Sequence, residues 1–291
     1  MAAGLVSERG RLSCSRQLPT PTGADPEELF SVVAALVSEA REEAGPEGPV
    51  ACGVGSVGPM TGEGETVFPV NVPAWRDGFP LRKRLLELLD LPVFVEVDAK
   101  ALALAEGWVG AARGRDGFLA MVVSTGVGGG LVLEGRLLHG GAGNAGHVGH
   151  VVVVPGGRPC GCGGTGCLEA EASGSAIAAM TGRPPREAPP EVVARTGTLV
   201  GRAVASVANL LDLDLAVVAG SVALGFGDPF FAAAQAEVDA LARLPFSAGT
   251  KVVPAGLGPS GPLVGAGAVA WRALGLGSGS SVGGSGHQLP A

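Results

Sequence analysis

The chain has 291 residues and a formal net charge of −7, from 20 Lys+Arg against 27 Asp+Glu. That acidic balance argues against broad binding to nucleic acid or anionic membranes, both of which call for a basic face. Apolar residues make up 46% and charged residues 16%, so the chain can build a globular core, and its length suggests about two domains.

The N-terminal apolar run is too short for a signal-peptide core. The longest apolar stretch, 215–226, is interrupted by Gly220 and Ser221 and falls short of the ~20 residues of a membrane helix. A cytoplasmic location is expected, and the cysteines agree. There are 5, an odd number, and Cys160, Cys162 and Cys167 cluster, which suits a reducing compartment better than a disulfide framework.

In chain order, residues 2–6 and 12–17 flank the turn signal Ser7-Glu8-Arg9-Gly10 and predict a hairpin. Asp25 as N-cap, Pro26 at the first helical position and Glu28 three residues after the cap predict a helix start. The stripe Leu29, Val32, Val33, Leu36 and Val37 continues it to about residue 45. A strand over 49–54 runs into a glycine-rich turn at 53–59. A helix over 81–89, a strand over 93–97 and an Ala/Leu-rich helix over 99–112 follow.

A second series starts near Phe118, with a buried strand over 119–123 that breaks at the glycine-rich 124–130 and resumes over 131–133. Helices are expected over 168–180, 192–211, 229–241 and 263–274, and strands over 215–219 and 251–254. This alternation predicts an α/β fold with parallel strand pairs. Residues 275–291 are Gly/Ser-rich without apolar period and are expected to be disordered.

Three groups of residues carry chemistry. His150 with Cys160, Cys162 and Cys167 offers a complete tetrahedral set for Zn²⁺, with glycines that let the backbone wrap an ion. A full protein shell marks a structural site; three unpaired thiols are the plainer alternative. Asp98 follows an apolar strand and precedes a helix, where a carboxylate serves as general base or as helix N-cap. The glycine-rich turns at 53–58 and 124–130 are phosphate cradles or simple hairpin turns, and neither matches a Walker A loop.

Taken together, Asn71-Val-Pro-Ala-Trp75, Glu96-Val-Asp98, Ser124-Thr-Gly-Val-Gly-Gly-Gly130, Gly146-His-Val-Gly-His150 and Cys160-Gly-Cys162 with Cys167-Leu-Glu169 resemble the ROK family of sugar kinases and repressors. Within it, Val123-Ser-Thr-Gly and Ala145-Gly-His-Val-Gly-His150 look most like the N-acetylmannosamine kinases. The resemblance implies an actin/hexokinase-like α/β fold of two domains with a structural zinc site and a central cleft. Residues 1–113 with 262–274 would form the smaller domain and 114–261 the larger one.

It also implies phosphoryl transfer from Mg-ATP to a sugar hydroxyl, usually O6, of a hexose or N-acetylhexosamine such as glucose or N-acetylmannosamine. Asp98 aligns with the family's base. Asn71, His147, His150 and Glu169 align with its sugar side, and Thr125, Gly126, Gly128 and Gly220 with its phosphate side. The family is often dimeric, so a homodimer is an expected state.

Four departures bear on this. Val97 replaces an Asn that hydrogen-bonds the sugar, at a cost of ~1–3 kcal/mol for an unpaired hydroxyl. His147 stands where Glu is usual, as in the acylmannosamine kinases, and Lys100 where Asn is common, adding a positive charge expected near Asp98. Family kinases also begin with a strand carrying Asp-x-Gly-Gly-Thr-Lys, a first phosphate loop after which Met1 falls. A start upstream and a sugar-binding protein without kinase activity are the two readings of that feature. A repressor would need a basic winged-helix domain before that point.

Overall fold

The computed structural model describes residues 1–46, 48–62, 64–69 and 72–275. Asn71 and residues 276–291 of the expected disordered tail lie outside the described residues.

In the N-terminal half, β1 (Ala2–Val6) and β2 (Leu12–Gln17) form the expected hairpin, with a register irregularity between Ala3 and Leu5. The capping box of α1 (Pro26–Glu43) is complete. Asp25 Oδ1 accepts the N–H groups of Glu27 and Glu28, each at 2.8 Å, and the Glu28 carboxylate accepts that of Asp25 at 3.0 Å.

β3 (Cys52–Ser56) leads to a short ribbon of β4 (Met60–Thr61) and β5 (Thr66–Val67), and then to α2 (Leu81–Leu89). β6 (Val93–Val97) pairs in parallel with β3 and runs without a loop into α3 (Asp98–Val109). Leu29, Phe30, Trp75, Phe79, Leu85 and Val95 form the core of this half.

The C-terminal half holds a five-stranded sheet. β7 (Phe118–Val123), β8 (Val127–Leu133) and β9 (Arg136–Leu137) form an antiparallel meander. The chain then passes through α4 (Leu168–Ala172), α5 (Gly174–Thr181) and α6 (Pro190–Leu211) to β10 (Leu215–Ala219). After α7 (Ser221–Phe226) and α8 (Asp228–Leu241) comes β11 (Lys251–Pro254), and the strand order is β11-β10-β7-β8-β9. β7, β10 and β11 run parallel; β7 and β10 are nearly continuous buried apolar runs, as strands covered on both faces must be, whereas the edge strand β11 exposes Lys251 and Pro254.

α9 (Gly261–Ala273) carries the chain back to the first half, packing on α3, β3, β6 and β1, and Trp271 Nε1 donates to Val6 O at 2.9 Å. Among the described residues β1 pairs only with β2, and β3 only with β6. Both strands border a cavity of about 520 Å³ whose apolar lining includes Leu5, Val37, Val54, Leu263 and Ala266.

Two expectations change. The glycine run 124–130 is mostly strand: the turn is confined to residues 124–126 and β8 begins at Val127. The helix expected over 168–180 is two helices. Ser173 adopts extended backbone between them and its side chain accepts the Ala176 N–H at 3.1 Å, capping α5.

Candidate active site

Asp98 sits where β6 ends and α3 begins. The N-cap position belongs to Val97; Asp98 Oδ1 accepts the N–H of its neighbour Ala99 at 2.7 Å. The helix approaches β8 closely, because a Cβ on Gly128 would lie 3.2 Å from Ala99 Cβ and one on Gly130 only 2.8 Å from Ala103 Cβ. Those two glycines therefore let α3 lie against the strand that leaves the Thr125 turn. Asp98 is exposed to solvent at this junction, yet the surrounding protein desolvates its carboxyl. That desolvation raises its pKa above the ordinary carboxylate value, outweighing the Ala99 N–H, which lowers it.

Thr125 is exposed at the tip of the turn between β7 and β8. The turn is braced from below, since Gly174 N–H donates to Ser124 O at 2.7 Å and Ser175 N–H to Thr125 O at 3.2 Å. Gly220, at φ +101°, passes so near the end of β7 that a Cβ there would meet Val123 O at 2.2 Å. This approach brings the start of α7 alongside the turn, and the hydroxyls of Ser124 and Ser221 lie 3.0 Å apart. The sequence offered no sign of that pair, because the residues are distant along the chain.

Glu169 connects the turn to the cysteine cluster. It follows Cys167 closely in α4, and its Oε2 accepts the Val127 N–H at 3.1 Å. His147 precedes a short 3-10 turn (Val148–His150) that His150 ends; both are exposed, and their rings lie 6.0 Å apart between centroids. Desolvation is the largest influence on His147 and lowers its pKa; His150 and Lys100 add to this and Glu169 opposes it. The neutral ring then has one nitrogen to donate and one to accept. Val97 is buried in the apolar core of the first half and presents no polar atom.

The ligand atoms of His150, Cys160, Cys162 and Cys167 all lie within 4.8 Å of one another. Bond lengths of about 2.3 Å to sulfur and 2.0–2.1 Å to nitrogen give tetrahedral edges of about 3.8 Å between sulfurs and about 3.5 Å from sulfur to nitrogen. Cys162 Sγ and Cys167 Sγ are 3.8 Å apart, and Cys160 Sγ is 3.6 Å from His150 Nδ1. The donor set fits Zn²⁺, and engaging Nδ1 leaves the far edge of His150 for other contacts. Burial and the neighbouring sulfurs push the Cys167 thiol up to about 12, whereas the Gly164 backbone and the other two cysteines lower that of Cys162. A further carboxylate supports the loop: buried Glu171 accepts the Arg158 N–H at 2.7 Å and pairs with Arg195 at 2.5 Å.

Lys100 departs from its expected role. Its ammonium turns away from Asp98 to Gly143 O at 2.5 Å, His139 O at 3.5 Å and Glu96 Oε1 at 3.6 Å.

A sequence profile of the ROK family matches residues 1–273. The chain belongs to the ROK family. It is 36% identical over 242 residues to an N-acetylmannosamine kinase of Escherichia fergusonii, spanning 78% of this chain and 81% of that one. The ROK hexokinase of Thermus thermophilus superposes with a TM-score of 0.78 at 34% identity, covering 94% of this chain and 95% of that one. The ROK glucokinase of Streptomyces griseus, solved with glucose and AMPPNP, superposes with a TM-score of 0.77 at 28% identity over 90% and 93% of the two chains. This ROK chain accordingly has the actin/hexokinase-like α/β fold.

Proposed function

We propose that this ROK protein is an ATP-dependent sugar kinase that phosphorylates a hydroxyl, O6 in this reading, of a hexose or N-acetylhexosamine. Glucose and N-acetylmannosamine are the leading candidates. The observation that carries the reading is the place of Asp98: a desolvated carboxylate at the β6–α3 junction, on a helix packed against the strand that leaves the exposed Thr125 turn.

In this mechanism Asp98 accepts the proton of the attacking sugar hydroxyl. His147, Glu169 and the outer edge of His150 bind other hydroxyls and set the ring's orientation. Thr125 and Gly126, with Gly220 across the turn, hold the phosphate chain of the nucleotide; Gly128 serves the same side by letting α3 approach. Mg²⁺ on the nucleotide would neutralise phosphate charge. Phosphoryl transfer needs mainly such positioning and charge balance.

Zn²⁺ held by His150, Cys160, Cys162 and Cys167 would be structural, since four protein ligands leave no open position. It would fix the wall carrying His147 and Glu169. In this reading residues 1–113 with 262–274 form one lobe, 114–261 form the other, and the site lies between them.

The test is an ADP-release assay over a panel of hexoses and N-acetylhexosamines, run beside Asp98→Asn. Sugar-dependent ADP release by the native protein, lost in the variant, supports the assignment. Sugar binding without ADP release would favour a binding protein, the reading to which Val97 points.

A further inference from the structure

Lys100 has no solvent-exposed surface. Burying an ammonium is costly, and a lysine that merely filled space at this point of α3 would be better replaced by Met or Leu. Here the ammonium has two backbone carbonyl acceptors and one ion-pair partner. Gly143 O lies at 2.5 Å and His139 O at 3.5 Å, both in the segment that leads to His147, and Glu96 Oε1 lies at 3.6 Å on β6.

Glu96 in turn is fixed at both oxygens. Oε1 accepts the Val97 N–H at 2.8 Å, and Oε2 lies 3.4 Å from His139 Nδ1. The segment that Lys100 grips needs such support. Residues 140, 141, 143 and 146 are all glycine, so the free loop has high conformational entropy. The loop and Glu96 border a cavity of about 900 Å³ that Met60, His139 and Asn144 also line.

We infer that Lys100 is a positioning residue: with Glu96 it clamps the 139–143 loop to the β6–α3 unit that carries Asp98, and so sets where His147 stands relative to Asp98. The inference deepens the kinase reading and rests on it for its consequence, which is sugar affinity. The clamp itself rests on geometry alone.

Two variants test it. Lys100→Met keeps the volume and removes the ammonium; Glu96→Gln/Lys100→Met also removes the carboxylate charge that the first variant orphans. Hydrogen–deuterium exchange reads the loop directly. In the double variant, peptides covering 139–147 should exchange about tenfold faster, with β7 and β10 unchanged. Unchanged protection of 139–147 would overturn the clamp whether or not the protein is a kinase.

In active protein, the double variant should raise the KM for sugar about tenfold while kcat falls much less and the KM for ATP holds. A loosened loop with an unchanged sugar KM would overturn the link to His147. If the native protein turns over no sugar, the kinase reading fails, and exchange still decides the clamp.

Discussion

The side chain of Asn144 pairs with both backbone groups of Met60. It accepts the Met60 N–H at 3.3 Å through Oδ1 and donates to Met60 O at 3.2 Å through Nδ2, as a neighbouring strand would. A third bond, from Nδ2 to Ala142 O at 2.9 Å, fixes the amide within its own loop. This latch joins the two halves of the chain at the edge of the candidate site. Asn144→Ala removes it at about 0.5–1.5 kcal/mol per bond. A fall in thermal midpoint together with a raised KM for sugar is the expected outcome, read by calorimetry and steady-state kinetics.

For Asp98, activity and stability should part. Its carboxyl is raised by desolvation, so the folded state favours the protonated form, and that contribution to stability is lost as pH rises through the raised value. The base must be ionised, so kcat/KM should fall as pH drops through the same value, above the ordinary Asp range. Asp98→Asn should lower turnover by ~10²–10⁴ and abolish the acid limb while the melting temperature at neutral pH holds or rises. Normal turnover in this variant would return Asp98 to a structural role.

The cysteine cluster predicts about one zinc per chain in protein purified without chelator, measured by elemental analysis. Cys162→Ser, or prolonged chelation, should lower the melting temperature on the order of 10 °C, since part of the metal-binding energy is folding energy. Glu169 and His147 flank the cluster, so sugar affinity should weaken in parallel. Zinc-free protein with an unchanged melting temperature would leave three plain thiols.

Glu106 offers a test of how the ends of the chain are joined. Fully buried in α3, its carboxylate accepts the Ala111 N–H at 2.7 Å, the Gly256 N–H at 3.0 Å and the Leu257 N–H at 3.1 Å, tying the segment before α9 to α3. Glu106→Gln keeps the size but turns an amide NH₂ toward backbone donors. The expected loss is about 1–3 kcal/mol, seen as a lower urea midpoint with an unchanged slope.

Local patterns in the sequence foretell much of this. The capping box at Asp25, the apolar runs that become β6, β7 and β10, and the spacing of Cys160, Cys162 and Cys167 all involve residues close along the chain, where backbone geometry alone dictates which groups can meet. The glycines of 124–130 were less legible. Propensity reads them as a turn, whereas Gly128 and Gly130 are strand residues whose missing side chains make room for α3.

Beyond that, long-range packing decides. Lys100 two residues after Asp98 reads as a positive charge beside the base, but it points to a loop 43 residues away, where backbone carbonyls replace the water it loses. Glu106 and Asn144 look like ordinary helix and loop residues until Gly256, 150 residues on, and Met60, 84 residues back, arrive beside them. A buried polar side chain must find a partner, and which partner it finds depends on how distant segments come together.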